Sequence, residues 1–147
     1  LGAMFKSGTR PIAGVLRYGE RPPGRGLYFV DNSPMPLSIY PGYAAAGSQL
    51  SMWQLGGGGI PHLSVLHPSP APLMPLMWLT ANARTFERCR LSMDFFSGGV
   101  LEGRETVAEA GERLLRTVVD LASGTLALSE TLNYTEQADF YTLDPVF

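Results

Sequence analysis

The chain of 147 residues has one cysteine, two histidines and, from residue 32 to residue 83, not a single Asp, Glu, Lys or Arg. Each shortage excludes something. A lone Cys89 makes no internal disulfide, and Cys89, His62 and His67 are too few and wrongly spaced for a structural zinc cage. The longest apolar stretch, Leu73 to Ala81, is interrupted by Pro75 and falls far short of the roughly 18 to 20 residues a bilayer span requires. No membrane partner is expected. The first 20 residues hold Lys6, Arg10 and Arg17 but no apolar run of signal-peptide length, so a cytoplasmic location is the expectation. At this length one domain is expected, residues 1–147, because a chain of this size buries roughly 70% of its unfolded surface without a staple.

The charges that are present are segregated. Residues 1–30 carry five cations and one anion, and residues 84–147 carry six arginines against eleven acids. The 52-residue gap between them predicts either burial between layers or contact with another chain or domain, since charged side chains normally cover an exposed face. Met35, Tyr40, Tyr43, Leu63, Val65 and Leu66 are the residues from which such a contact face would be built, and a homo-oligomer is one way to cover it. Nucleic acid is not an expected partner: the chain is net acidic and lacks a basic stripe interleaved with aromatics.

Along the chain, Leu1 to Lys6 reads as the last turn of a helix that begins upstream, stopped by Ser7-Gly8. Ile12 to Leu16, Gly26 to Val30, Gln49 to Leu55 and Leu76 to Leu79 read as strands sharing one sheet. Pro36 to Ala46 reads as a short or kinked helix, because Pro41 interrupts it and Gly47 follows. Ile60 to Met74 is a proline-rich loop, and Ala83 to Met93 a helix. The strongest helix signal opens at Thr106, where Thr106-Val107-Ala108-Glu109 has capping-box spacing. Val107, Gly111, Leu114, Val118 and Leu121 then form an apolar stripe before Ser123-Gly124. Residues 125–147 are expected as an extended tail arm. The alternation implies an α/β, Rossmann-like layered domain with a small, mostly parallel sheet flanked by helices.

Chemistry has few places to sit. Gly56, Gly57, Gly58 and Gly59 follow a strand, and beyond the carboxyl ends of parallel strands is where α/β domains bind ligands. Backbone N–H groups there can approach an anion, though no Lys-Ser/Thr follows as in a phosphate loop, and a plain turn is the alternative. His62 and His67 in the next loop are candidates for a proton donor or a carboxylate contact, or else ordinary surface residues. Asp94 is a candidate catalytic acid, with a backbone-orienting or capping role as its alternative. Cys89, between Arg88 and Arg90, reads as a half-buried structural thiol, and Trp53 and Trp78 as core.

The order of motifs points further. Arg21-Pro22, Arg25-Gly26-Leu27-Tyr28-Phe29, Ala45-Ala46-Gly47-Ser48-Gln49-Leu50, the Gly56 to Gly59 loop with Pro61, Asn82-Ala83-Arg84-Thr85-Phe86, Asp94-Phe95-Phe96-Ser97-Gly98 and Leu121-Ala122-Ser123-Gly124 follow one another. The series resembles the C-terminal domain of the D-galactarate dehydratase and altronate dehydratase family. That resemblance implies a lyase that removes water from an acid sugar to give a 2-keto-3-deoxy acid. It also implies a divalent metal, iron or manganese, for the whole enzyme, and N-terminal and central domains as partners. It places substrate contacts at Gly56 to Gly59, Ser97 and Gly98. The sequence departs from the family's Thr-Gly-Arg-Gly-Thr-Pro loop, which here has neither threonine nor arginine, and from its Asp-x-Asn-Ala-Gly motif, where Phe96 replaces the Asn. The loss removes a guanidinium that could hold a carboxylate. No tight metal binding and no activity are therefore expected of this chain alone, and a non-catalytic binding or assembly module is the rival reading.

Overall fold

The computed structural model describes residues 6–32, 36–56 and 73–131. The expectations for residues 1–5, for Met35, for most of the proline-rich loop with His62 and His67, and for residues 132–147 lie outside them. Strands β1 (Ile12–Leu16) and β2 (Leu27–Val30) form one parallel pair. Strands β3 (Ser51–Leu55), β4 (Leu76–Thr80) and β5 (Phe95–Phe96) form a separate parallel sheet in the order β3-β4-β5. Helices α1 (Pro36–Ala45), α2 (Ala83–Arg88), α3 (Val107–Ala122) and α4 (Leu128–Thr131) flank the strands, with a 3-10 turn at Arg90–Ser92. The molecule is thus a small α/β domain with parallel sheets.

Among the described residues two sheets replace the single one expected. A run such as Ile12 to Leu16 marks a strand by its side chains, but the strand it pairs with is set by long-range packing that the run does not encode. The helix expected over Ala83 to Met93 stops at Arg88 and breaks into the 3-10 turn, which aims the chain into the short strand β5. The extended arm expected from residue 125 instead makes a helical turn at Leu128–Thr131, with Ala127 and Ser129 buried.

Strand β4 is the centre of the core. All five of its residues are buried, because β3 and β5 cover its edges and two clusters of side chains cover its faces. On one face Leu76 and Trp78 meet Tyr40, Met74, Cys89 and Met93, with Tyr43 and Trp53 against them. On the other, Met77 and Leu79 meet Phe95, Leu121 and Ala127, with Leu114 and Val118 against them. Leucine, methionine and tryptophan on both faces suit a strand covered twice. Tyr40 is 2% exposed, so it belongs to the core and not to an outward contact face; at its described residues much of the charge-free stretch is interior.

Both long helices are delimited as their sequences suggest. Thr106 Oγ1 accepts from Glu109 N at 3.2 Å while Glu109 Oε2 accepts from Thr106 N at 2.8 Å, a reciprocal cap that satisfies two backbone donors. The exposed Glu109 carboxyl is held below the usual carboxylate range by those bonds. Helix α1 ends at a left-handed Gly47 and α3 at a left-handed Gly124, with Ser48 N donating to Tyr43 O and Thr125 N to Asp120 O. The inward face of α3 differs from the expected stripe: Ala110 and Leu121 are buried and Leu114 and Val118 half-buried, whereas Val107 is 75% exposed. A period of 3.6 locates an apolar arc, but not which half of a wide arc is covered.

Candidate functional site at the carboxyl edge of the three-stranded sheet

Because β3, β4 and β5 are parallel, their carboxyl ends lie on one edge, and that edge gathers Gly56, Thr80, Asn82, Ser97 and Gly98. Thr80 ties them together. Its hydroxyl donates to Gly56 O at 3.4 Å and accepts from Asn82 N at 3.1 Å, and its carbonyl accepts from Ser97 N at 3.0 Å. Asn82 then caps α2, its Oδ1 accepting from Thr85 N at 3.0 Å. Arg84 follows in the first turn of that helix and is exposed. Of the residues expected to touch substrate, the edge therefore brings together Gly56, Ser97 and Gly98. Gly57, Gly58, Gly59, His62 and His67 lie outside the described residues.

Phe96 fills the middle of this edge. Its ring lies 4.8 Å from that of Phe86, centroid to centroid, and against the backbone of Gly98. A Cβ at Gly98 would meet that ring and stand 2.6 Å from Ala81 O, so only glycine lets the chain turn past β4 here. Arg113 closes the edge from outside. Its guanidinium donates to Phe96 O at 2.9 Å and to Glu105 at 2.8 and 3.1 Å, and it stands 4.4 Å above the Phe95 ring. Sequence reasoning missed Thr80, Arg113 and Glu105 as parts of the edge. Arg113 is 17 residues from Phe96, and its only sequence signal was a place off the apolar stripe of α3.

Asp94 stands apart from that edge. It pairs with Trp78, two residues back along β4 from Thr80, with Asp94 N donating to Trp78 O at 2.9 Å. One carboxylate oxygen accepts from Trp78 N at 2.8 Å and the other from Leu128 N at 2.8 Å, so Asp94 fastens the start of α4 to the central strand. Burial raises its pKa above the usual value, and the two backbone donors offset part of that rise. Cys89 is buried at the end of α2, and burial likewise raises its thiol pKa, outweighing the lowering by Arg88. Its role is packing.

Among the described residues, no three His, Cys, Asp or Glu side chains converge as metal ligands. The acids near the edge are engaged otherwise: Asp94 with two backbone N–H groups, Glu105 with Arg113, Glu109 with the cap of α3. These described residues do not fit a divalent metal. Also among the described residues, no helix is long and apolar enough to cross a membrane.

The residues that build this edge fall within a stretch of sequence that is similar to known proteins. The family described as D-galactarate/Altronate dehydratase, C-terminal, matches residues 1–143. The chain belongs to this family. It is similar to the beta subunit of (2R)-sulfolactate sulfo-lyase from Chromohalobacter salexigens, 31% identical over 137 residues, which are 92% of this chain and 33% of that protein. It is also similar to two Escherichia coli proteins. Galactarate dehydratase (L-threo-forming) is 29% identical over 84% of this chain and 22% of its own length, and altronate dehydratase 24% identical over 95% and 26%. The chain of this family member thus spans a third or less of the length of these relatives.

Proposed function

We propose that this chain is the C-terminal domain of a lyase of the acid-sugar dehydratase type, built on a Rossmann-like layered plan, and that it is not catalytic alone. The observation that carries the reading is the family match over residues 1–143, set beside relatives of which the matched stretch makes up a third or less. Galactarate, altronate and sulfolactate are all 2-hydroxy acids, and loss of water and loss of a sulfo group are both eliminations. The substrate class is therefore a 2-hydroxy acid, with the acid sugars foremost. An elimination of this kind needs a base for the α-proton, help for the leaving group and a cation for the carboxylate. At the described edge Gly56 O, Asn82 Oδ1 and Ser97 N are already paired with Thr80 and Thr85, and Asp94 is likewise committed to structure. The whole enzyme, with its N-terminal and central domains and iron or manganese, completes the site.

A second reading is favoured by Phe96. An aromatic pair occupies the place where the family resemblance implies an amide, which suits a domain that kept the fold for binding or assembly and lost the site. One experiment separates the two. The purified chain is given galactarate or altronate with iron or manganese, and no 2-keto-3-deoxy product is expected. Residues 6–124 are then grafted in place of the matching stretch of the E. coli altronate dehydratase, with and without Gly57→Arg and Phe96→Asn. Turnover by the unaltered graft supports the lyase reading, and turnover only after both substitutions supports the assembly module. Product from the chain alone, abolished by His62→Ala or Asp94→Asn, overturns both.

A further inference from the structure

Ser97 to Glu105 form a unit that holds its own shape. Ser97 O accepts from Val100 N at 3.4 Å, Gly98 O from Glu102 N at 3.1 Å and Gly99 O from Arg104 N at 2.9 Å, and a left-handed Gly103 turns the chain back. Its attachment to the sheet is slighter. Among the described residues the backbone of this unit bonds to β4 at one point, Ser97 N to Thr80 O at 3.0 Å, and a single bond does not set the angle between the unit and the edge.

Arg113 supplies what that bond lacks. The C=O of Phe96 and the N–H of Ser97 belong to one planar trans peptide and point in opposite directions. Since Ser97 N reaches β4, Phe96 O faces away from it, and the Arg113 guanidinium donates to it there at 2.9 Å. The peptide from which the turn departs is thus held from both sides. The same guanidinium grips the far end of the unit, donating to the two carboxylate oxygens of Glu105 at 2.8 and 3.1 Å, and it gains a third support from the Phe95 ring, 4.4 Å below it. Gly99 completes the fit. A Cβ there would stand 2.5 Å from Glu105 Oε1, and Gly99 is not left-handed, so what its missing side chain provides is room for the carboxylate.

We propose that Arg113 is a positioning residue of the carboxyl edge. By joining Phe96 O to Glu105 it fixes the Ser97-Gly98 turn at the angle in which a substrate meets it, and this role in turnover rests on the lyase reading above. The other task open to Arg113, fastening α3 to the sheet, is already filled. Leu121 lies in one core cluster with Met77, Leu79 and Phe95, and Leu114 and Val118 pack against that cluster. Lysine could not replace Arg113, because one ammonium group lacks the planar fork that serves a carbonyl and two carboxylate oxygens at once.

Three variants attack this clamp from three places in the sequence: Arg113→Lys, Glu105→Gln and Gly99→Ala, which crowds the carboxylate. In the chain itself each should speed hydrogen exchange of the Ser97 amide about tenfold or more and leave the Leu121 amide as it was. Gly99→Ala combined with Arg113→Lys should be no worse than the more damaging of the two, since both break one contact. Arg116→Lys, on the same helix and 3.6 Å from Glu112, is the control and should change nothing at Ser97. In a graft that turns over, built as above, Arg113→Lys should raise KM about tenfold or more. Loss of a mere strut would lower the folded fraction, and with it the apparent kcat, while KM stayed put. Ser97 exchange unmoved by Arg113→Lys and Glu105→Gln overturns the inference, as do effects that add in the double variant. An unmoved KM in an active graft overturns the role in turnover. A graft without turnover in any version counts against the lyase reading instead, and the amide measurements on the chain still decide the clamp.

Discussion

At Gly98 one methyl group decides whether the carboxyl edge can form. The ring of Phe96 could swing away from an added Cβ, but Ala81 O, 2.6 Å from it, is backbone and fixed by β4. Gly98→Ala is therefore expected to destabilise by about 1 to 3 kcal/mol, an overpacking cost that Phe96→Ala relieves only in part; urea titration of the single and double variants measures both. Asp94 yields a prediction with a sign. Its carboxylate accepts from two N–H groups, and an amide can serve only one of them, so Asp94→Asn should cost about 1 to 3 kcal/mol at neutral pH. Because the folded-state pKa is raised, the folded protein binds a proton more readily than the unfolded chain as pH falls through that value. Stability from this group then rises on acidification, and the gap between wild type and Asp94→Asn should widen from neutral toward acid pH. A gap that narrows would show that the hydrogen bonds outweigh burial. The sequence offered two roles for Asp94, and its apolar neighbours Met93 and Phe95 could not decide between them. Its backbone partners Trp78 and Leu128 lie 16 and 34 residues away.

Helix α3 shows what periodicity conveys about an element and what it does not. The cap at Thr106 and the stop at Gly124 were legible because both depend on residues within one turn of each other. Thr106→Ala should accordingly cost about 1 kcal/mol in thermal or urea unfolding. The buried face was only partly legible, since the apolar arc is wider than the part the sheet covers. Leu121, at 5% exposure, should cost about 2 to 5 kcal/mol when cut to Ala, and half-buried Leu114 distinctly less. Equal losses at the two positions would mean that Leu114 is more enclosed than its place on α3 implies. Strand β5 was illegible for a different reason. Two residues carry no period, and Phe95 and Phe96 become a strand only because the 3-10 turn delivers them to the edge of β4.

For the whole molecule, the two sheets differ in how they are protected. Within β4 every side chain is buried, and β3 and β5 pair with both of its edges. Among the described residues the β1-β2 pair has no third strand. The irregular register between Ile12 and Gly14 brings Ile12 to the same face as Val15, opposite Leu27 and Phe29, and all four are more than 40% exposed. Only Leu16 of this pair is fully buried. Parallel sheets are ordinarily covered on both faces, and a two-stranded pair is marginal by itself, so β1-β2 should open locally at a free energy well below that of global unfolding. The sequence could not show this difference, because Ile12 to Leu16 and Leu76 to Leu79 both read as strands of one sheet; solvent reaches one and not the other through tertiary placement alone. Amide hydrogen exchange followed residue by residue is expected to find β1 and β2 exchanging much faster than Met77, Trp78 and Leu79, with added urea speeding β4 far more than β1 because only β4 waits for global opening. Equal protection of the two sheets would mean that they open as one cooperative unit and that the exposed face of β1-β2 is covered in solution.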